Sequence, residues 1–290
     1  MKEKAIVYSG VLEVVEYPGV IFKENILVKP LHIYVSDIER NILSGTLPLT
    51  KPIILGSMGV ARVIEVQGSS SEYSGQTFVI TPFGNKGLLG ITEDGILASF
   101  TSIHQSYLDE PLMEITPVDA LRPLVKHGIE LAKNAVEPVL IEGCGSIGIV
   151  AGLSLRLLGI EPVFYCEETS KLAMVYEFNI VHHISSISKK WSSIILTSYN
   201  MASKHRVLMN LDYNKVIISR LSLTSWIPIK DYSSTIQIAT VDKGEVYDQN
   251  IRRQVLNEVS RRVRIYEIND LQDALGLFPP KGIGFILSIK

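Results

Sequence analysis

Apolar residues recur along this chain in two rhythms. Up to about residue 117 they come in short runs broken by Gly, Pro and Ser: Ala5-Ile-Val-Tyr8, Ile26-Leu-Val28, Ala61-Arg-Val-Ile-Glu-Val66, Thr77-Phe-Val-Ile80 and Ile96-Leu-Ala-Ser-Phe-Thr101. Runs of that length between turn formers predict strands in an irregular, β-rich domain. One stretch departs from the rhythm: Ser36 to Leu43 opens on Ser-Asp, a helix-capping signal. Residues 118–133 then carry Leu121, Leu124, Val125, Ile129 and Leu131 in a pattern that predicts a linking helix.

Beyond that helix, strand-length runs alternate with helical stretches. The strands are Val139-Leu-Ile141, Val163-Phe-Tyr-Cys166, Ile194-Ile-Leu196, Val216-Ile-Ile218 and Ile236-Gln-Ile238, with helices predicted over about 147–158, 169–178 and 201–211. Such alternation builds a parallel sheet covered by helices on both faces. A helix over about 248–262, the strand Arg264-Ile-Tyr-Glu-Ile268, a short helix near 270–277 and the strand Gly284-Phe-Ile-Leu-Ser-Ile289 close the chain. The fold class is therefore α/β, a doubly wound parallel sheet joined to a β-rich domain.

The first parallel strand runs into Val139-Leu-Ile-Glu-Gly-Cys-Gly-Ser-Ile-Gly148, which spells Gly-x-Gly-x-x-Gly at a strand-to-helix junction. Gly143 permits the tight turn, Gly145 lets the backbone approach a phosphate, and Gly148 lets the helix press on the strand. The first helical residues, Ser146 and Ile147, offer N–H groups and the positive end of the helix dipole to a pyrophosphate. The next strand ends at the carboxylates Glu167 and Glu168, and Glu167 lies 19 positions after Gly148 (167 − 148). An acid at that tip binds a ribose diol and repels an additional phosphate, which predicts NAD in preference to NADP.

Composition narrows the partners. The formal net charge of −2 argues against a nucleic-acid surface, and the pairs Arg252-Arg253 and Arg261-Arg262 are most simply a solvated helix face. Two cysteines, Cys144 and Cys166, are too few for a disulfide scaffold or a four-thiolate zinc site. Their places at strand ends predict packing residues, with a reactive thiol as the alternative. The N-terminus has no apolar signal region and no run reaches membrane-spanning length, so a soluble, cytoplasmic protein is expected.

The order of these pieces resembles the medium-chain dehydrogenase/reductase superfamily, the zinc alcohol dehydrogenase-like proteins with a GroES-like catalytic domain and a Rossmann domain. The resemblance rests on Pro52-Ile-Ile-Leu-Gly-Ser-Met-Gly59 with Val63-Ile-Glu-Val66, on Asp94-Gly-Ile-Leu-Ala-Ser-Phe100, on the glycine turn, and on Arg264-Ile-Tyr-Glu-Ile-Asn-Asp-Leu-Gln-Asp-Ala274. It implies a GroES-like domain over 1–117 and 265–290 and a Rossmann domain over 118–264, with 118–135 as linking helix. It also implies a homodimer through Rossmann edge strands, for which Thr235-Ile-Gln-Ile-Ala-Thr240 is the candidate edge.

The family's catalytic zinc takes its ligands from a Cys-x-(Ser/Thr)-Asp motif, a Gly-His-Glu motif and an acid or cysteine near the linking helix. This chain reads Tyr34-Val-Ser-Asp37, Gly56-Ser-Met58 and Arg122-Pro123 at those places. Zinc requires thiolate, imidazole or carboxylate ligands, so no metal site and no zinc are expected. Phe83-Gly-Asn-Lys-Gly-Leu-Leu-Gly90 likewise lacks the four cysteines of the family's structural zinc. The histidines do not rescue a metal site: His32 and His104 have no suitably spaced partner, His182-His183 resembles a structural position, and His127 and His205 are expected on helix surfaces.

Without zinc, hydrogen-bond donors must stabilise charge on a reacting oxygen, as in the zinc-free quinone oxidoreductases and enoyl reductases of the superfamily. The resemblance makes Tyr34 and Ser36 candidate donors and Arg122 a candidate positive charge; the alternative is that Tyr34 and Arg122 merely fill and brace the vacated site. Thr197-Ser-Tyr-Asn200 replaces the glycine-containing turn that approaches the nicotinamide ribose in relatives, placing Thr197 among the candidate cofactor contacts. Three readings follow: a zinc-independent NAD(P)-dependent oxidoreductase acting on a small alcohol, carbonyl or activated alkene; a nucleotide-binding regulatory or redox-sensing protein without turnover; and a non-catalytic partner subunit.

Overall fold

In the computed structural model, residues 3–17, 26–67, 71–167, 171–223, 234–240 and 248–290 are described. Glu168 and the start of the helix expected over 169–178 lie outside them. The chain divides into two units, one of Met1–Pro123 with Ser260–Lys290 and one of Leu124–Val259.

The first unit opens with β1 (Glu3–Tyr8), β2 (Leu12–Tyr17), β3 (Ile26–Val35), α1 (Asp37–Leu43), β4 (Ile53–Ile54), β5 (Met58–Val66), β6 (Thr77–Ile80), β7 (Thr101–Ile103) and β8 (Leu108–Leu112). The strand expected over Ile96–Thr101 is largely irregular. Its backbone bonds to two separate segments, with Leu97 donating to Leu55, Ser99 donating to Lys4 of β1, and the Leu97 carbonyl accepting from Ile6 of β1, so no single ladder forms. Helix α1 forms as the Ser-Asp signal predicts, and it carries a full capping box: Ser36 accepts from the Ile38 N–H while Glu39 accepts from the Ser36 N–H.

The linking helix is shorter than predicted. A 3₁₀ turn occupies Pro117–Leu121, and only then does α2 (Arg122–Lys133) begin. Pro123 cannot donate a backbone hydrogen bond to a preceding turn, so the α-helix starts at its doorstep. The second unit continues with β9 (Val139–Glu142), α3 (Ser146–Leu157), β10 (Val163–Tyr165), α4 (Lys171–Val175), β11 (Asn179–Val181), β12 (Lys190–Leu196), α5 (Met201–Asn210), β13 (Asp212–Ser219), β14 (Thr235–Ala239) and α6 (Gln249–Ser260). Its six strands are all parallel in the order β11-β10-β9-β12-β13-β14. The two halves thus diverge from β9 and β12, where the order reverses, and a crevice opens at the carboxyl ends there.

Alternation along these strands sorts the two faces. Leu140, Ile194, Leu196, Val216 and Ile218 pack with Val207, Leu208 and Leu211 of α5. On the other face Gly152 of α3 lies so close to Phe164 that a Cβ there would stand 2.7 Å from the ring. Between β11 and β12 the chain forms one 3₁₀ turn, Ile184–Ser186, and no α-helix. No helix among the described residues is long and apolar enough to cross a membrane.

The chain then returns to the first unit with β15 (Arg264–Ile268), α7 (Leu271–Ala274) and β16 (Phe285–Ile289). These complete a seven-stranded sheet of order β15-β16-β3-β5-β6-β8, with β7 also on β3, beside a three-stranded sheet β2-β1-β4. The core of this unit gathers on β3, α1, β5 and β16, where Ile33, Val35, Ile38, Val60 and Leu287 are buried.

Candidate dinucleotide site

The Gly-x-Gly-x-x-Gly stretch forms the turn between β9 and α3. Gly143 has φ +104, a conformation open to glycine, and a Cβ there would lie 2.7 Å from both the Ser198 nitrogen and the Thr197 hydroxyl. Gly148 faces the Gly143 carbonyl oxygen, which a Cβ would approach to 2.2 Å. The close contact that requires Gly148 is thus with the turn itself and with Thr197. Gly145 is the N-cap of α3 and brings no side-chain hydrogen bond to the helix end. Ser146 and Ile147 begin the first helical turn and are buried.

Thr197 stands under this turn. Its N–H and its hydroxyl both donate to the Glu142 carbonyl, at 2.9 and 2.8 Å, which ties the end of β12 to the end of β9. Glu167 stands at the tip of β10, where Arg206 of α5 grips its carboxylate with two nitrogens, one at 2.6 Å, and Tyr165 donates its hydroxyl at 3.1 Å. These bonds, that to Arg206 foremost, hold the Glu167 carboxyl below its usual range. Glu167, the acid expected at a ribose, is thus favoured as a carboxylate and is already paired.

Three further groups of this unit, Glu142, Lys204 and Arg206, carry no expectation from the sequence. Glu142 is fully buried and accepts hydrogen bonds from the hydroxyls of Ser198 and Ser203. Burial pushes its carboxyl up. Lys204, also fully buried, donates to the Ser222 carbonyl at 2.6 Å, and burial brings its amine down to about 8. A signal for Lys204 existed: it shares a spacing of i, i+3, i+4, i+7 with Val207, Leu208 and Leu211, an apolar stripe interrupted by one amine. Arg206 gave none, because its meeting with Glu167 depends on how α5 lies over β10.

The remaining pair is Cys144 and Cys166. They were expected as separate packing residues; the structure joins them in a disulfide, with Cα atoms 5.8 Å apart. Parallel pairing places Glu142 opposite Tyr165, so the residues that continue β9 and β10 meet beyond the ladder. His127 is also corrected: it is buried on α2 rather than exposed, its Nε2 lies 2.7 Å from the Ser219 hydroxyl, and burial lowers its pKa to about 3.

In the first unit, the three candidate catalytic side chains are each engaged. Tyr34 is fully buried on β3 and its hydroxyl donates to the Ile283 carbonyl. Ser36 is fully buried and spends its hydroxyl on the α1 cap and on Glu39. Arg122 is held by Glu110 at 3.0 Å and by Asp119 at 2.6 Å; burial works against its charge, and the two carboxylates outweigh it and raise its pKa.

The zinc that the resemblance implies does not suit this donor set. Tyr34 is bound to a carbonyl, Arg122 is a cation, Met58 lies opposite Tyr34 across the β3–β5 pair, and Ser57 offers one buried hydroxyl with no partner. One orphaned hydroxyl is not a zinc site. Among the described residues, no group of three or more His, Cys, Asp or Glu is placed to hold a metal ion.

No family model and no curated protein sequence matches the chain. Solved structures do. The chain superposes on TarJ from S. aureus with TM-score 0.66 at 13% identity, covering 100% of this chain and 99% of that one. It superposes on a thermostable alcohol dehydrogenase from Pyrobaculum aerophilum with TM-score 0.68 at 14% identity, covering 99% and 100%. An acetophenone reductase from Geotrichum candidum, solved with NAD, gives 0.66 at 15% identity over 99% and 97%. With a GroES-like β-rich unit and a Rossmann unit in one chain, the protein has the fold of the alcohol dehydrogenase-like, medium-chain dehydrogenase/reductase superfamily.

Proposed function

We propose that this chain binds a nicotinamide dinucleotide at the β9–α3 turn and acts as a zinc-independent oxidoreductase on a small alcohol, carbonyl or activated alkene. The observation that carries the reading is the turn itself: a glycine-built junction at the reversal point of a six-stranded parallel sheet, leading into an α-helix whose N-cap is a glycine. Similar folds are solved with NADPH in TarJ, with NAD in acetophenone reductase and with NADH in an E. coli alcohol dehydrogenase.

Gly143, Gly145 and Gly148 shape the pyrophosphate cradle, and the N–H groups of Ser146 and Ile147 donate into it. Glu167 accepts the ribose diol, favouring NAD. Arg206 offsets its charge, so discrimination against a 2′-phosphate is weaker than a lone acid would impose. Thr197 fixes the β12 turn against the cradle. The bound dinucleotide supplies the hydride chemistry. Tyr34, Ser36 and Arg122 remain the nearest matches to the family's polarising groups. Their present bonds favour a second reading, a dinucleotide-binding regulatory protein without turnover.

Titration of the purified, metal-analysed protein with NADH and NADPH, read by nicotinamide fluorescence, tests binding. A screen of carbonyls and enones, read by nicotinamide absorbance, then separates the two readings. Binding with turnover supports the first and binding alone the second; no binding of either dinucleotide removes both. We further propose a homodimer paired through β14, the last strand of the sheet, where Ile236 and Ile238 are exposed.

A further inference from the structure

The chain has two cysteines, and the fold brings both to the edge of the same crevice. Cys144 is the middle residue of Gly143-Cys144-Gly145, partly exposed on the turn; Cys166 is buried at the end of β10, one residue before Glu167. Their Cα separation of 5.8 Å falls within the range that a disulfide spans. Cys166 is anchored: its N–H donates to the Val181 carbonyl at 3.0 Å, and its own carbonyl lies 2.7 Å from Nδ1 of His182. Cys144 sits between two glycines, Gly143 with φ +104 and Gly145 at the N-cap of α3. The bond therefore joins the candidate phosphate turn to the end of a strand, and the loop it closes contains all of α3.

From this juxtaposition we propose that Cys144 and Cys166 form a thiol–disulfide exchange site for small-molecule disulfides of the glutathione class, and that its oxidation tightens dinucleotide binding. The second half rests on the dinucleotide reading above; the first does not. Cys144, the accessible sulfur, attacks one sulfur of the small disulfide as a thiolate, forming a mixed disulfide and expelling one thiol. Cys166 then attacks the Cys144 sulfur and expels the second. Two protein thiols lose two electrons and two protons; the small disulfide gains both and leaves as two thiols. A dithiol reductant runs the exchange backwards.

The coupling is steric. Two unbonded thiols need more room than a bonded pair, so reduction pushes the turn away from β10. The Gly143 N–H, which donates to the Tyr165 carbonyl at 3.1 Å, lies at the root of that movement. The cradle consists of backbone donors aimed at one place, and misaiming one or two of them lowers affinity about tenfold.

The test equilibrates the whole protein with glutathione disulfide or with dithiothreitol. Alkylation in denaturant with mass spectrometry counts thiols, and NADH is titrated against each form. The expected result is no free thiol after oxidation and two after reduction, with NADH bound about tenfold more tightly by the oxidised form. Cys166→Ser is expected to trap glutathione on Cys144, and Cys144→Ser to bind NADH equally in both conditions. Two alkylated thiols after oxidation would overturn the exchange site, and equal NADH affinity in the two forms of the native chain would overturn the coupling. If thiols toggle yet no dinucleotide binds in either form, the exchange site stands on its thiol count and the dinucleotide reading, with the coupling, falls.

Discussion

The methyl group that Gly148 lacks decides whether the β9–α3 turn can close. A Cβ would meet the Gly143 carbonyl oxygen at 2.2 Å and the Thr197 hydroxyl at 2.9 Å, and the first of these is backbone that moves only if the turn moves. Gly148→Ala is therefore expected to weaken NADH binding at least about tenfold and to destabilise the protein by about 1–3 kcal/mol, as overpacking does. Fluorescence titration and urea denaturation read the two effects, and Gly159→Ala supplies the contrast. Gly159, unlike Gly148, has positive φ, +81, and a Cβ there meets nothing within 4 Å, so only backbone strain of about 1–2 kcal/mol is expected, with NADH affinity kept. Equal losses of affinity in both variants would remove the close-approach argument. At the tip of β10, the proposed ribose end of the site, Glu167 and Arg206 set a balance of charge. Arg206→Ala leaves Glu167 unopposed and is expected to raise the NADH over NADPH preference several-fold, while Glu167→Gln lowers it; competitive titration measures both. A preference that does not respond to either change would place the ribose elsewhere.

Helix α1 shows how local sequence and buried chemistry meet in one element. Ser36 caps it and Glu39 completes the box, so Ser36→Ala is expected to cost about 1 kcal/mol, read as a lowered denaturation midpoint. A loss of turnover beyond what unfolding explains would instead restore a direct role for its hydroxyl. Strand β14 carries a different expectation: Ile236→Lys with Ile238→Lys charges its exposed face and should convert a dimer to a monomer in sedimentation equilibrium, with the sheet intact. The parallel strands were legible because runs such as Ile194-Ile-Leu196 and Val216-Ile-Ile218 are buried on both faces and so carry an unbroken apolar signal. Strands β2 and β8 escaped the reading for the opposite reason. Leu12-Glu-Val-Val-Glu-Tyr17 and Leu108-Asp-Glu-Pro-Leu112 end their sheets, and edges tolerate acids and proline that a central strand does not. The glycine turn was legible because its reasons are local. Glu142, Lys204, Arg206 and the Cys144–Cys166 bond were not, since each depends on which helix lies over which strand. His127 was misplaced because α2 is buried almost all round, and a helix with polar residues at Lys126, His127 and Glu130 gives no sign of that in its own pattern.

Acid acts on two buried groups, Glu39 in the first unit and His127 in the second, in opposite senses. In the first, burial raises the Glu39 carboxyl from its ordinary 4.5 to about 7, against the pull of the capping bonds. The folded state keeps a proton that the unfolded chain has released. That contribution is complete below 4.5 and is lost as pH rises through 7, a difference of roughly 3 kcal/mol. In the second unit, burial lowers His127 from 6.5 to about 3, so its neutral ring contributes stability above 6.5 that is lost as pH falls towards 3. Lys204, brought from 10.5 to about 8, acts in the same sense at higher pH: its contribution is full above 10.5 and lost as pH falls through 8. Glu142, held up by burial, opposes His127 within that unit. The variants therefore read each group more cleanly than the native slopes do. Between pH 7.5 and 5, amide protection is expected to rise in α1 and to fall around α2 and β13. Glu39→Gln should flatten the first trend and leave the second, and His127→Asn should do the reverse. Each charge change is confined to one unit, so a variant that alters the pH slope of both units alike would show that they unfold as one cooperative body rather than by separate openings.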